Sequence, residues 1–322
     1  MTASTAPMAG RNPFALDDAD AYRRWRDWKL DVAPRRAEDL LVEVDDPCRL
    51  AESEREALVA RCRRANMAVY ASRSSGAGKD IARLLGEQLG LRRLDANWLA
   101  DEDGISTLSV SEHGTRGEYI PYTDRPIRWH TDGYYNPPER MIAGMLLHCV
   151  ERAAEGGASR VLDHEIAYIL LRDADPEHVR ALSAPDAMSI PPREAQAGGP
   201  GEAGAGAGAA VARQEQAGPV FSLLAPGGDL HMRYTARTRS IAWRDDPATR
   251  AAVQALRAIL DAGGPWVLGL RLEPGMGIVC NNVLHEREGF VDSPQRRRQL
   301  LRARYHDRIA GTHASHLAAF AG

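Results

Sequence analysis

Histidine and aspartate stand two residues apart in "IRWHTDGYYNPPER", residues 127–140, as His130 and Asp132. On an extended chain, side chains at i and i+2 leave the same face. One imidazole and one carboxylate are then offered to a single point, which is the start of a metal site. A third donor comes late in the chain, where His285 ends the apolar run "GIVCNNVLH". Two imidazoles and one carboxylate on one side of a metal leave its other positions open, the arrangement of non-haem Fe(II) oxygenases. Thirteen residues after His285, Arg298 opens a strand-like segment. A permanently charged guanidinium there suits the far carboxylate of an anionic co-substrate.

Other candidate donors carry less. His313 and His316 in "GTHASH" have a ligand-like spacing but sit in a Gly/Ala-rich tail, which reads as solvated. His148, His164 and His178 fall in core or helix contexts and read as hydrogen-bonded scaffold residues. Cys48, Cys62, Cys149 and Cys280 lie far apart with no CxxC pair, against a disulfide framework or a cysteine zinc site. They read as small buried thiols in a reducing cytoplasm.

The elements that must position these groups follow from periodicity. Residues 50–68 carry apolar groups at helical spacing, "MAVYAS" reads as a short buried strand, and "KDIARLLGEQLGL" as a second helix. The loop "SRSSGAGKD" between them fails as a phosphate loop, with Arg73 where Gly is needed and Asp80 after Lys79. From about Ser106 the texture is β-rich: "MIAGMLLHCV" reads as a strand, "GGASRVLD" as a turn into another, "HEIAYILLRD" and "PEHVRALS" as helices. Residues 197–218, nearly all Gly, Ala and a few polar groups, cannot offset their ordering entropy and read as a flexible insertion, with a lid as one use. A hairpin turn at Pro226–Asp229, the helix "DPATRAAVQALRAILDAG" and three terminal strands complete the chain.

Composition sets the class. The 322 residues are 44% hydrophobic and 26% charged, as in an ordinary soluble domain, and the net charge is −3. No global basic field supports nucleic-acid binding, and no apolar run approaches the roughly 20 residues of a membrane span. The expected organisation is a flexible leader over 1–30, one domain over 31–310 and a tail over 311–322. The expected partner is a small-molecule substrate, without nucleic acid or membrane; a homo-oligomer is compatible with this composition.

Four segments occur in a familiar order: "WHTD" at 129–132, "GGASRVLD" at 156–163, "EPGMGIVCNNVLHERE" at 273–288 and "RRRQLLRARYHD" at 296–307. Together with the opening "ANMAVYAS", they resemble the iron(II)- and 2-oxoglutarate-dependent dioxygenases. The resemblance is greatest to the TauD/TfdA branch, with its taurine and γ-butyrobetaine hydroxylases, and covers roughly residues 40–308. It implies a mainly β fold with flanking helices around a double-stranded β-helix (jelly-roll) core. It also implies Fe(II), 2-oxoglutarate as co-substrate, and O2. His130, Asp132 and His285 resemble the iron ligands, while Ser159 and Arg298 resemble the residues that receive the distal carboxylate of 2-oxoglutarate. Arg302 resembles a second arginine near the active site, and Tyr135 falls where the family places its substrate pocket.

Strand alternation favours Arg298 over its neighbour Arg297, because it sets Arg298, Leu300, Arg302 and Arg304 on one face. Trp129 and Arg233 are further candidates for substrate contact. The rings of Tyr119, Tyr122, Trp129, Tyr134 and Tyr135 would either enclose a quaternary ammonium or pack a barrel mouth. Arg233, Arg237 and Arg239, or Arg302, would instead meet a sulfonate or carboxylate. The expected activity is hydroxylation of a small polar metabolite with conversion of 2-oxoglutarate to succinate. Two alternatives are a jelly-roll metalloenzyme that does not use 2-oxoglutarate, and a non-catalytic sensor that binds metal or 2-oxoglutarate.

Overall fold

The computed structural model describes residues 12–73, 78–95, 101, 103–111, 117, 119–194, 211–239 and 241–313. The chain enters through helix α1 (Ala19–Val32), capped by Asp18, whose carboxylate accepts from the Ala21 N–H at 2.9 Å. Tyr22, Trp25 and Lys29, three and four residues apart, form its buried face. Residues 12–30 of the expected leader are therefore packed rather than loose. Phe14, Tyr22 and Trp25 all meet the Tyr168 ring edge-on, and this aromatic burial orders the segment. Residues 1–11 lie outside the described residues.

After α1 come β1 (Leu41–Val44), α2 (Glu52–Ala65), β2 (Met67–Ser72), α3 (Asp80–Gln88), β3 (Ser106–Leu108), β4 (Ile127–His130) and β5 (Gly144–Glu151). The middle of the chain holds β6 (Glu155–Gly156), β7 (Ser159–Leu162), α4 (His164–Ala174), α5 (Pro176–Leu182), β8 (Met188–Ile190) and β9 (Arg193–Glu194). Then follow β10 (Val211–Arg213), β11 (Gln216–Gly218), β12 (Phe221–Leu224), β13 (Asp229–Met232), β14 (Ala242–Trp243) and α6 (Pro247–Ala262). The last strands are β15 (Leu268–Leu270), β16 (Met276–Cys280), β17 (Leu284–Arg287), β18 (Phe290–Val291) and β19 (Gln299–Tyr305).

The two largest sheets hold ten of these strands. One has the order β1-β2-β16-β5-β19-β3, antiparallel except for the parallel β1/β2 pair; the other is the antiparallel β15-β7-β17-β4. The chain passes back and forth between them, β4 to β5 to β7 and later β15 to β16 to β17 to β19. Alternation on β19 shows how faces are assigned. Leu301, Ala303 and Tyr305 pack with Leu58 and Cys62 of α2 and with Leu85 of α3. Leu300, Arg302 and Arg304 turn to the opposite face.

The outer face of the four-stranded sheet is covered by helices. Leu162 and Leu284 join Ile166 and Ile169 of α4, Leu182 of α5 and Leu256 of α6 in one core. Each fully buried leucine or isoleucine contributes about 1.5–3 kcal/mol. Lys29 ties α1 to this core: its wholly buried ammonium lies 2.7 Å from the Asp163 carboxylate and beside that of Glu165. Burial works against a charged lysine there, but the two carboxylates outweigh it and raise its pKa above the ordinary value.

Part of the expected insertion lies in strands. Residues 195–210 lie outside the described residues, but 211–218 enter β10 and β11, and β11 pairs antiparallel with β8. Ladder hydrogen bonds hold a segment that has few apolar side chains to bury.

Candidate metal centre

His130 ends β4 and His285 lies in β17, and the two are direct partners across the antiparallel pair. Cross-strand neighbours on one face come close enough to share a ligand, and the two rings stand 4.2 Å apart centre to centre. Asp132 follows β4 by two residues. Its Oδ1 lies 3.6 Å from His130 Nε2 and 3.8 Å from His285 Nε2. The three donor atoms all fall within 4.8 Å of one another, a separation that a single ion can bridge.

The second nitrogen of each imidazole is committed to the backbone. His130 Nδ1 meets the Arg128 carbonyl at 2.9 Å, and His285 Nδ1 meets the Val283 carbonyl at 3.0 Å. A carbonyl only accepts, so Nδ1 carries the proton and Nε2 presents its lone pair to the metal position. Burial, reinforced by the neighbouring His130, lowers the pKa of His285 to about 4. The ring therefore stays neutral, as a ligand must be. Burial alone would raise the Asp132 pKa. Arg302, His130, Arg304 and His285 together instead hold it well below the usual carboxylate range.

Asn282 fixes the aspartate from behind. Its Oδ1 accepts from the Asp132 N–H at 2.8 Å, while its Nδ2 donates to the carbonyls of Asp132 at 2.9 Å and Ile142 at 2.7 Å. This fully buried amide, at φ 53 in the turn between β16 and β17, ties the segment bearing Asp132 to the one bearing His285. Gly133, at φ 69, follows Asp132 where any side chain would collide with Ile142. The sequence offered no sign of the role of Asn282 beyond its place three residues before His285.

Arg298 is buried, whereas Arg297 is exposed. Its side chain lines a pocket with Ser159, Gly156, Gly157, Arg152 and Arg271. It lies over the Phe290 ring at 5.1 Å, and among the described residues its guanidinium meets no carboxylate. Burial lowers its pKa to about 10, with Asp292 acting weakly against the shift, so it stays charged at neutral pH without a side-chain ion pair among the described residues. Arg302 reaches Asp132, with Nη1 3.3 Å from Oδ2.

Tyr135 accepts from Arg304 Nη1 at 2.7 Å. Arg304 is in turn paired with the fully buried Asp95, which also takes Arg140 Nη2 at 2.8 Å. Tyr135 meets Tyr134 edge-on at 5.2 Å, and Tyr134 Oη lies 3.1 Å from Arg237 Nη1.

Two expected substrate residues lie elsewhere. Trp129 is next to His130 and so points to the opposite face of β4, into the helix-covered core, with Arg160 over its ring. Arg233 is buried with its donors taken up by the carbonyls of Tyr134, Met188 and Gln216, at 2.7, 2.9 and 2.6 Å. It braces the loop and is no free cation. Tyr122 is likewise buried, in a separate cluster with Leu108, Cys149 and Leu300, so the five rings form no common cage. His313 is not merely solvated: its Nδ1 lies 2.7 Å from an Asp229 carboxylate oxygen. His316 lies outside the described residues.

A family model described as taurine catabolism dioxygenase TauD, TfdA family matches residues 74–304. This chain belongs to the TauD/TfdA family. It is 30% identical over 186 residues to a uridine-5'-phosphate dioxygenase of Amycolatopsis sp, covering 55% of this chain and 60% of that protein. To a second uridine-5'-phosphate dioxygenase, of Streptomyces sp, it is 28% identical over 214 residues, or 63% of this chain and 70% of the relative. The chain thus spans about three fifths of the first relative's length.

Among solved structures it resembles an asparagine oxygenase in complex with Fe(II), 2S,3S-3-hydroxyasparagine and succinate. That likeness has a TM-score of 0.53 and 15% identity over 83% of this chain and 93% of the other. It also resembles the non-heme iron oxygenase OrfP in complex with Fe, succinate and (3S)-hydroxy-L-Arg, at TM-score 0.57 and 16% identity over 80% and 82%. These two likenesses establish the fold.

Proposed function

We propose that the chain is an Fe(II)- and 2-oxoglutarate-dependent dioxygenase that hydroxylates a small anionic metabolite. The observation that carries this reading is the convergence of His130 Nε2, Asp132 Oδ1 and His285 Nε2, with both imidazoles already set in the ligating tautomer. The passage of the chain between the two sheets supports a double-stranded β-helix as the core. Fe(II) bound there, with 2-oxoglutarate and O2 as co-substrates, would supply the oxidising chemistry.

The chain's own part is placement. His130, Asp132 and His285 would hold the metal. Arg298, buried with no side-chain ion pair among the described residues, and Ser159 on the same pocket would receive the distal carboxylate of 2-oxoglutarate. Around the loop that follows Asp132, Arg237 meets the Tyr134 phenol without an ion pair among the described residues, while Arg304 at the Tyr135 phenol is already paired with Asp95. Such surroundings disfavour a quaternary ammonium and favour an anion. Two relatives are named for uridine 5'-phosphate, which makes that nucleotide the first substrate to try. Three buried thiols and one half-buried thiol suit a reducing cytoplasm. Among the described residues no helix is long and apolar enough to cross a membrane.

The test is anaerobic titration with Fe(II) and 2-oxoglutarate, following the visible charge-transfer absorption of the chelate, with His130→Ala and Arg298→Ala alongside. The band should form in the wild type, vanish in His130→Ala and demand much more 2-oxoglutarate in Arg298→Ala. A wild type that binds metal but gives no band refutes the 2-oxoglutarate assignment and favours a metalloenzyme of another kind.

A further inference from the structure

The two oxygens of Asp132 face different partners. Oδ1 is turned to the two imidazoles, at 3.6 and 3.8 Å, whereas Oδ2 lies 3.3 Å from Arg302 Nη1. Arg302 stands on β19 of the six-stranded sheet and Asp132 follows β4 of the four-stranded one, so this ion pair joins the sheets across the site. Among the described residues Arg302 meets no other carboxylate at ion-pair distance, and Oδ2 is buried with no well-aligned hydrogen-bond donor. A carboxylate can ligate a metal through one oxygen or both. The partner of its second oxygen decides between these modes.

The geometry points to Arg302 as a positioning residue that restrains Asp132 to ligation through Oδ1 alone, which keeps one further coordination position open for co-substrate. This rests on the iron-site reading above and extends it, because Arg302 then acts on a ligand and leaves the distal carboxylate of 2-oxoglutarate to Arg298. Without the guanidinium, Oδ2 would be a buried anion lacking a partner. The nearest cation would be the metal, and the carboxylate would turn to chelate it. Lysine at this position keeps a charge that can hold Oδ2; methionine fills similar space without one.

The experiment loads the full chain with Mn(II) and counts exchangeable water molecules on the ion. The readouts are water-proton relaxation and EPR line broadening in 17O-enriched water. A triad of single-atom donors leaves about three such positions on a six-coordinate ion. Arg302→Met should show one fewer water and bind 2-oxoglutarate about tenfold more weakly, with Mn(II) held as tightly as in the wild type or more so. Arg302→Lys should restore the wild-type water count. If the methionine variant does not fold, Arg302→Gln, polar but uncharged, is expected to give the same loss of one water. Wild-type water count and 2-oxoglutarate affinity in the uncharged variants would overturn the inference, as would folded variants that lose Mn(II). Failure of the wild type itself to take up Mn(II) would instead overturn the metal-site reading on which it rests.

Discussion

Asn282→Asp is the sharpest perturbation of the site, because it keeps shape and backbone preference and changes one atom. Asn and Asp both tolerate the left-handed conformation at φ 53, so the variant carries no added backbone strain. What it loses is Nδ2 as a donor to two buried carbonyls, those of Asp132 and Ile142. The Ile142 carbonyl keeps a second partner, His231 Nε2 at 3.0 Å, so its loss is one ordinary bond, about 1 kcal/mol. The Asp132 carbonyl is left facing an oxygen, at about 1–3 kcal/mol. Burying the new carboxylate among acceptors adds to this, so the total is at least roughly 3 kcal/mol, a large share of the 5–15 kcal/mol that stabilises a typical protein.

At about 2–4 °C per kcal/mol in a chain of this size, the melting temperature should fall by at least roughly 6–12 °C. Asp132 is also freed to shift, and loss of such support weakens metal binding about 10- to 100-fold. Urea denaturation of the metal-free protein and titration with Co(II) read the two effects separately. A variant within 1 kcal/mol of wild type, with unchanged Co(II) affinity, would refute the idea that this amide aligns the two ligand-bearing segments.

Further predictions follow from the same geometry. Arg298→Ala should weaken 2-oxoglutarate binding by about 2–5 kcal/mol, whereas Arg297→Ala, at an exposed position, should leave it unchanged; isothermal titration of the Fe(II)-free Mn(II) protein distinguishes them. Lys29→Met should destabilise the fold by about 3–5 kcal/mol, since it leaves Asp163 and Glu165 buried without their shared cation; guanidinium denaturation measures it. Burial lowers the pKa of His231 to about 4 from the ordinary 6.5, so between those values the unfolded chain binds the extra proton. Its contribution is therefore intact above pH 6.5 and lost as pH falls toward 4, by at most about 3 kcal/mol. Stability measured from pH 4.5 to 7.5 should show this slope, and His231→Gln should flatten it.

The parts of the site legible in the sequence are those governed by short-range periodicity. A period of two puts His130 and Asp132 on one side, and the same period separates Arg298, Leu300, Arg302 and Arg304 from Leu301, Ala303 and Tyr305, as β19 does. That rule also excludes Trp129 from the site, since a residue adjacent to a ligand on a strand must face away from it. Its aromatic character pointed to a pocket, but its position assigned it to the core.

What stayed hidden depends on atoms distant in sequence. Arg233 looks like an anion receptor until the carbonyls of Tyr134, Met188 and Gln216 are seen around it. Asp95 carries no local motif, yet it is the buried anion that holds Arg304 against Tyr135 and Arg140 against the same loop. The leader misled for a different reason. In "YRRWRDWK" the polar residues outnumber the apolar ones, and only the partner face, built around Tyr168 and Asp163, makes Tyr22, Trp25 and Lys29 a buried stripe. Ligands can be read from spacing because a metal demands one face. The groups that orient those ligands satisfy hydrogen bonds and charges set by the tertiary fold, and no fixed spacing in the chain announces them.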